Sequence, residues 1–300
     1  MKPLSSVKFP HSVQLFKFCQ KVLSERKNGK IHDQEVGEIL NFNPSDCSHW
    51  KRGEKSVKSV FSLSKLSEAL DVDTGLLHDL ASGILTLDEA YYEYSEAKEI
   101  KTCLLESKSH RVNREYHERI ERVRLFIQKL HEKADYKTPP LYLPEVFRFF
   151  SYIRMQPVDM IEKLSRVLRT KPGQYTIQFK KTELKPQTRM SIVQNFAKIL
   201  LEGERHRFPE LSGYSAEFMK HEELAFVAEM LIPRELLQNE LKKLDVRRNL
   251  ILELSSIFWA PKLLVAYQLQ NILEARPVHN NIIENEPSYK TNRTANLEAH

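Results

Sequence analysis

Apolar residues recur at helical spacing through most of the chain. Val13, Phe16, Cys19, Val22 and Leu23 trace one stripe, which predicts a first helix closed by the turn Lys27-Asn-Gly-Lys30. Asp33 to Leu40 predicts a short second helix with Asp33 as its N-cap, and Asn41-Phe-Asn-Pro44 breaks it. A third short helix is predicted from Ser45 to Arg52, stopped at Gly53. Ile120, Val123, Leu125, Phe126, Ile127 and Leu130 supply the apolar face of a longer, highly charged helix. Ile192, Phe196, Ile199 and Leu200 mark another, and Asn249 to Leu273 reads as helical with an interruption at Trp259-Ala-Pro261. Gln174 to Lys180 instead alternates with period two, the clearest strand signal in the chain. The pattern therefore predicts a mainly α fold with a small β-sheet, of the α+β class.

Length adds an expectation of about two domains. Thr138-Pro-Pro140 punctuates the chain, so residues 84–138 read as a helical bridge, packed on the next domain rather than used as a dimer helix. His110, His117 and His131 lie on that bridge at spacings that set no i,i+4 pair, and are expected at the surface. From Pro277 to His300 an Asn-, Glu- and Thr-rich run is expected to be a disordered tail.

Composition narrows the function. No apolar run approaches a membrane span, and the start Met1-Lys-Pro-Leu-Ser-Ser lacks an apolar signal core, so a cytoplasmic protein with no membrane partner is expected. Cys19, Cys47 and Cys103 are unclustered and read as reduced structural thiols. No glycine falls in a phosphate-binding arrangement, which argues against nucleotide chemistry and implies no cofactor. The net charge of +6 permits nucleic-acid binding without requiring it, so local clustering has to decide.

The clustering lies between the second and third predicted helices. Two short helices joined by a tight turn, the second rich in small polar and basic residues, is a helix-turn-helix layout. The residues resemble the phage-repressor (Xre-type) family. Gln34, Val36, Gly37 and Leu40 fill the first part of its pattern, Ser48, Trp50 and Gly53 the second, and Leu63, Leu66, Ser67, Leu70 and Val72 the third. The resemblance implies a DNA-binding domain over residues 1–83 with double-stranded DNA as partner. Ser45, Asp46, Ser48, His49 and Arg52 are the candidates for base edges, and Gln34, Lys51, Lys55 and Lys58 for phosphates. Trp50 is expected in the core.

A second resemblance covers residues 139–275. Zinc peptidases of the ImmA/IrrE type carry R-x-x-x-A-H-E-L-x-H-x-L-L, and Arg189, Val193, Leu200 and Leu201 occupy the framework places of that pattern. Glu222-Glu-Leu-Ala-Phe226-Val-Ala-Glu229-Met-Leu-Ile-Pro233 stands in the family's second motif. Where the family has its first His, Glu and second His, this chain has Gln194, Asn195 and Lys198, and its third ligand falls on Lys220 beside Glu222 and Glu223. An amide is a poor zinc ligand, Asn cannot accept a proton, and an ammonium repels a divalent cation. The resemblance therefore implies a degenerate, catalytically dead domain with no metal in that place. Lys198 is expected either to substitute its own charge for the ion and pair with Glu222 or Glu223, or to point into solvent or pair with Glu202 one turn on.

Together these readings predict a transcriptional regulator: a helix-turn-helix domain, a helical linker, and a pseudopeptidase domain that senses a ligand or binds a protein partner. A homodimer is expected. The alternatives are an interaction regulator that does not touch DNA and, more remotely, a zinc metallopeptidase with atypical ligands.

Overall fold

The computed structural model describes residues 7–110, 113–160, 163–181, 184–211, 213, 215–245 and 249–275, so the expected tail lies outside the described residues. The fold is mainly helical with one small sheet, as the periodicity predicts.

Five helices come first: α1 (Pro10–Lys27), α2 (Asp33–Glu38), α3 (Pro44–Lys51), α4 (Val60–Leu70) and α5 (Thr74–Ser82). They close around a core that includes Leu15, Phe16, Val22, Val36, Trp50, Leu63, Leu66 and Leu77. Each boundary has a local cause. α1 stops where Asn28 turns left-handed, at φ 49°. α2 starts one residue earlier than expected, because the Glu35 carboxylate accepts from the His32 N–H at 2.9 Å, making His32 the N-cap rather than Asp33. Asn43 caps α3 by accepting from the Asp46 N–H at 2.8 Å. Gly53, at φ 72°, lets the chain turn away after α3. Gly37 is needed for another reason: a Cβ there would sit 2.9 Å from Cys47, so its absence lets α2 and α3 pack closely.

α6 (Leu87–Ser109) belongs to two cores at once. Ala90 and Tyr94 in its first half join the five-helix core, whereas Ile100 and Cys103 in its second half join the larger core beyond. α7 (Arg114–Lys133) lies entirely in the larger core, where Ile120, Val123, Phe126, Ile127 and Leu130 are buried. Leu125 departs from the expectation and is 49% exposed, since it lies on the outer side of that helix. His131 is a further correction. It is buried, with Nε2 3.2 Å from the Met230 carbonyl, and burial pulls its imidazole down to about 4. A spacing argument that asks only about i,i+4 pairs cannot see a histidine used to satisfy a carbonyl on a helix nearly a hundred residues away.

The remainder comprises α8 (Leu143–Phe147), β1 (Ile153–Val158), β2 (Ser165–Lys171), β3 (Gln174–Lys180), α9 (Pro186–Lys198), α10 (Met219–Leu231), α11 (Arg234–Leu241), α12 (Leu250–Phe258) and α13 (Lys262–Ala275). The sheet order is β1-β3-β2, with β1 parallel and β2 antiparallel to β3. β3 is the central strand and buries Tyr175, Thr176 and Ile177. Its neighbours carry weaker signals in the sequence. β1 holds Pro157, a residue tolerated at an edge, and Arg166, Arg169 and Lys171 obscure any alternation in β2. α9 runs on through a wider π-type turn, Ile199–Gly203.

Two charged groups are built into this core. Glu222, 2% exposed, pairs with Arg205 and lies 3.5 Å from Arg119. Arg189, 1% exposed, has no carboxylate beside it and instead donates to three backbone carbonyls. Among the described residues no single helix is long and apolar enough to cross a membrane.

Candidate functional site

Two places collect the side chains singled out by the sequence. The first is the outer face of α3. Cys47 and Trp50 turn inward, so Ser45, Ser48, His49, Lys51 and Arg52 are left partly or fully exposed on the opposite side. The cations there are not idle: Lys51 meets Asp33 at 2.5 Å, Lys55 meets Asp46 at 2.7 Å, and Arg52 meets Glu54 at 3.0 Å. His49 also reaches Glu54, so Glu54 serves two partners and its carboxyl is held below the ordinary value, first by the Arg52 hydrogen bond and then by that from His49. Gln34 donates to the Phe42 carbonyl at 3.2 Å and so helps hold the turn between α2 and α3. Lys58 is exposed in the loop after α3. The face thus combines small hydroxyls with cations held in exposed pairs, each worth only about 0–1 kcal/mol and readily exchanged for another anion.

The second place lies between α6, α9 and α10. Gln194 and Lys198 are brought to one cleft with Glu223, Lys220 is exposed on its rim, and Asn195 is not among its lining residues. Of the two carboxylates expected to meet Lys198, Glu223 does so at 3.4 Å. Glu222 instead points into the core toward Arg205 and Arg119, because it sits on the buried side of α10. The Lys198 side chain is 50% exposed, so this is a surface-type pair at the mouth of a cleft rather than a buried substitute for an ion. Asn195 donates to Ser165 Oγ at 2.6 Å, and Ser165 in turn meets Ser191.

The side chains that fill the cleft come from α6, and no spacing in the sequence links them to it. Tyr92 Oη donates to Gln194 Oε1 at 2.5 Å, while Gln194 Nε2 donates to Glu96. Along the same face Lys180 meets Asp88 at 3.3 Å, Lys185 meets Glu89 at 2.8 Å, and Gln187 donates to Glu93 at 3.2 Å. An acidic face of α6 is therefore laid against the N-terminal end of α9, where the helix dipole favours negative charge. The amide at position 194 joins the two elements by using its donor and its acceptor together. What remains open is a cleft of about 370 Å³ lined by Glu96, Glu99, Cys103, Lys198, Lys220 and Glu223.

Electrostatics in this cleft are unfavourable to its own acids. The Glu96 carboxyl is pushed up to about 7, first by burial, then by Glu99, with Glu223 adding and Lys198 opposing. Glu223 is also raised, mainly by burial, against the pull of Lys198. Glu96 consequently holds a proton in the folded chain over a pH range where the unfolded chain has lost it. The folded state binds more protons between pH 4.5 and about 7, and stability falls as pH rises through that window. A rise from 4.5 to about 7 corresponds to about 3 kcal/mol, and partial exposure brings the expected effect to about 1–2 kcal/mol. Glu96→Gln, which keeps an acceptor for Gln194, is expected to match the parent near pH 4.5 and to exceed its stability by that amount at pH 8. Urea denaturation at the two pH values checks this, and equal stability at both would contradict it.

No family profile, no curated protein and no solved structure matches this chain. The site has to be judged on its own geometry.

Proposed function

We propose that the protein is a sequence-specific DNA-binding regulator. Its α2–turn–α3 unit enters the major groove, and its larger core serves for sensing or partner binding rather than catalysis. The observation that carries the reading is the outward face of α3. Ser45, Ser48, His49 and Arg52 are presented together on a short helix whose opposite side is locked by Trp50 and Cys47. A short, rigidly backed polar helix is what base-edge contact requires. Exchange of Asp33, Asp46 and Glu54 for phosphates costs little, because the pairs they make are exposed. One such helix reads few base pairs, so the regulator acts as a homodimer in the cytoplasm.

The absence of catalysis is argued from the residues of the cleft. Gln194 is committed to Tyr92 and Glu96, Asn195 to Ser165, and Lys198 to Glu223. None of the three offers a free ligand or a proton acceptor of the kind a hydrolytic zinc centre uses. In this reading Gln194 fastens α6 to α9, while Asn195 ties α9 to β2 and Lys198 ties it to α10.

Selection from a random duplex library, followed by fluorescence anisotropy on the winning site, tests the proposal. Affinity is expected to fall with salt at a slope of about −0.9 per phosphate neutralised. Arg52→Ala is expected to weaken binding at least about five-fold, about 1 kcal/mol for a lost base contact, while leaving stability within about 0.5 kcal/mol. Retention of no duplex even in dilute buffer would remove the reading. A second reading would then stand, in which the same face docks a protein. Its support is that Lys51, Lys55 and Arg52 are already neutralised by acids of the same chain.

A further inference from the structure

Cys103, Glu106 and His110 are spaced i, i+3 and i+7 along α6, so they share one face of that helix. His221 on α10 projects toward them. One donor atom from each of Cys103, Glu106 and His221 lies within 4.8 Å of the other two. His221 Nε2 is 3.2 Å from a Glu106 carboxylate oxygen. The His110 and His221 rings have centres 5.7 Å apart and stand nearly perpendicular.

We propose that Cys103, Glu106 and His221, whose donor atoms already cluster, form a binding site for a zinc-class divalent ion that His110 closes by moving its ring inward; the site adjoins the cleft of Gln194 and Lys198 through Cys103 but uses neither of those side chains. Zinc bonds of about 2.0–2.3 Å place tetrahedral donor atoms about 3.3–3.8 Å apart, and two imidazoles on one ion have ring centres about 5 Å apart. The cluster therefore has to contract by about 1 Å at its widest to reach that geometry. Glu106 supplies the slack, since its side chain is long and 53% exposed, while His221 is fixed at 3%. A sulfur, two imidazoles and one carboxylate form a donor set suited to zinc rather than to magnesium or calcium, which prefer oxygen.

The surroundings fit a ligand shell. Tyr116 stacks on His110 and packs edge-on to His221, both at 5.3 Å, and Phe218 packs edge-on to His110 at 5.1 Å. These rings hold the imidazoles in orientation. Burial lowers the His221 imidazole below its ordinary value, against the hydrogen bond to Glu106, which raises it. The Cys103 thiol is pushed up to about 11, first by burial and then by Glu106, so coordination has to displace its proton to solvent as the thiolate–metal bond forms. Bound there, the ion would fasten the second half of α6 to α10, the helix whose first half carries Tyr92 and Glu96 into the cleft.

The test uses the full chain, stripped with a chelator and titrated with cobalt(II). One equivalent is expected, with a thiolate-to-cobalt charge-transfer band and the visible absorption of a tetrahedral ion, both displaced by one equivalent of zinc. Cys103→Ser is expected to abolish the charge-transfer band. Glu106→Ala, at a partly exposed position, is expected to weaken binding at least ten-fold without loss of helical circular dichroism. His221→Asn provides the same readout should the serine variant fail to fold. Lys198→Ala, which removes only an exposed ion pair at the mouth of the cleft, is expected to bind cobalt as the parent does. Absence of the band, its survival in Cys103→Ser, or its loss in Lys198→Ala alone would overturn the proposal, and the last would return the metal to the peptidase-like centre.

Discussion

Replacing Arg189 by methionine is expected to destabilise the larger core by about 3 kcal/mol. The guanidinium is 1% exposed and donates to the carbonyls of Phe258 at 3.0 Å, Trp259 at 2.5 Å and Leu141 at 2.6 Å. Phe258 ends α12, and Trp259 is its left-handed cap at φ 48°, so two of the three acceptors belong to the negative end of a helix dipole. Those dipoles replace the missing carboxylate. Burial still tells on the group, lowering it from 12.5 to about 10, yet it stays charged at any pH where the protein would be studied. Methionine fills a similar volume but takes the donor away from two buried acceptors and one partly buried acceptor, at about 1–3 kcal/mol for each buried group left unpaired. Relief from burying a charge offsets part of that. Arg189→Lys can restore only some of the bonds, because an ammonium lacks the planar fork that reaches three carbonyls. It is expected to lie between the parent and methionine. Urea denaturation followed by tryptophan fluorescence reads the effect directly, since Trp259 lies 5.3 Å from the guanidinium. A loss below about 1 kcal/mol would mean the carbonyls find other partners.

The second large effect is expected in the other core. Trp50→Ala removes a fully buried indole that meets Phe16 edge-on at 5.1 Å and Phe42 edge-on at 5.9 Å. Its Nε1–H also donates to the Ser12 carbonyl at 2.8 Å, a bond between α3 and α1. Truncation of a buried tryptophan costs about 3–5 kcal/mol, which is a large fraction of what a module of this size can lose. Hydrogen exchange should show protection lost across α1–α5 while α9 and α10 keep theirs. If the proposed DNA-binding role holds, retention of duplex vanishes with it. The chain has two tryptophans, Trp50 in the five-helix core and the exposed Trp259 that caps α12, so the remaining fluorescence of this variant reports Trp259 alone. Equal loss of protection in both cores would show that they unfold as one unit through α6, which contributes to each.

The two residues differ in how far the sequence announces them. Trp50 can be placed from local spacing: it lies three residues after Cys47 on a helix whose other positions are polar, and both turn inward. Arg189 is marked only by a family pattern, which picks out the position without revealing its partners. Those partners are backbone carbonyls from residues about fifty and seventy positions away. A carbonyl carries no sequence identity, so no reading of side chains could supply it.

The same division runs through the cleft. Gln194, Asn195 and Lys198 are marked only by the resemblance to a family pattern, and Glu223 as a partner of Lys198 is within reach of the second motif of that pattern. Tyr92 and Glu96 are not, because their contact with Gln194 joins residues about one hundred positions apart across two cores. The spacing of Cys103, Glu106 and His110 is visible on α6 as a shared face. It acquires chemical meaning only when His221 arrives from α10. Likewise, His131 has the look of a surface residue until the Met230 carbonyl is placed beside it.

By itself, then, the order of residues determined the helical class, the first three helices to within a residue or two, the central strand β3 and the inward turn of Trp50. Each of these depends on interactions within a few turns of chain, where periodicity and capping dominate. Tertiary structure alone decided that α6 spans both cores, that Leu125 of α7 faces outward, and that Glu222 turns away from Lys198 toward two arginines. These outcomes depend on which buried charges find partners, and that is settled by the packing of elements far apart in the chain.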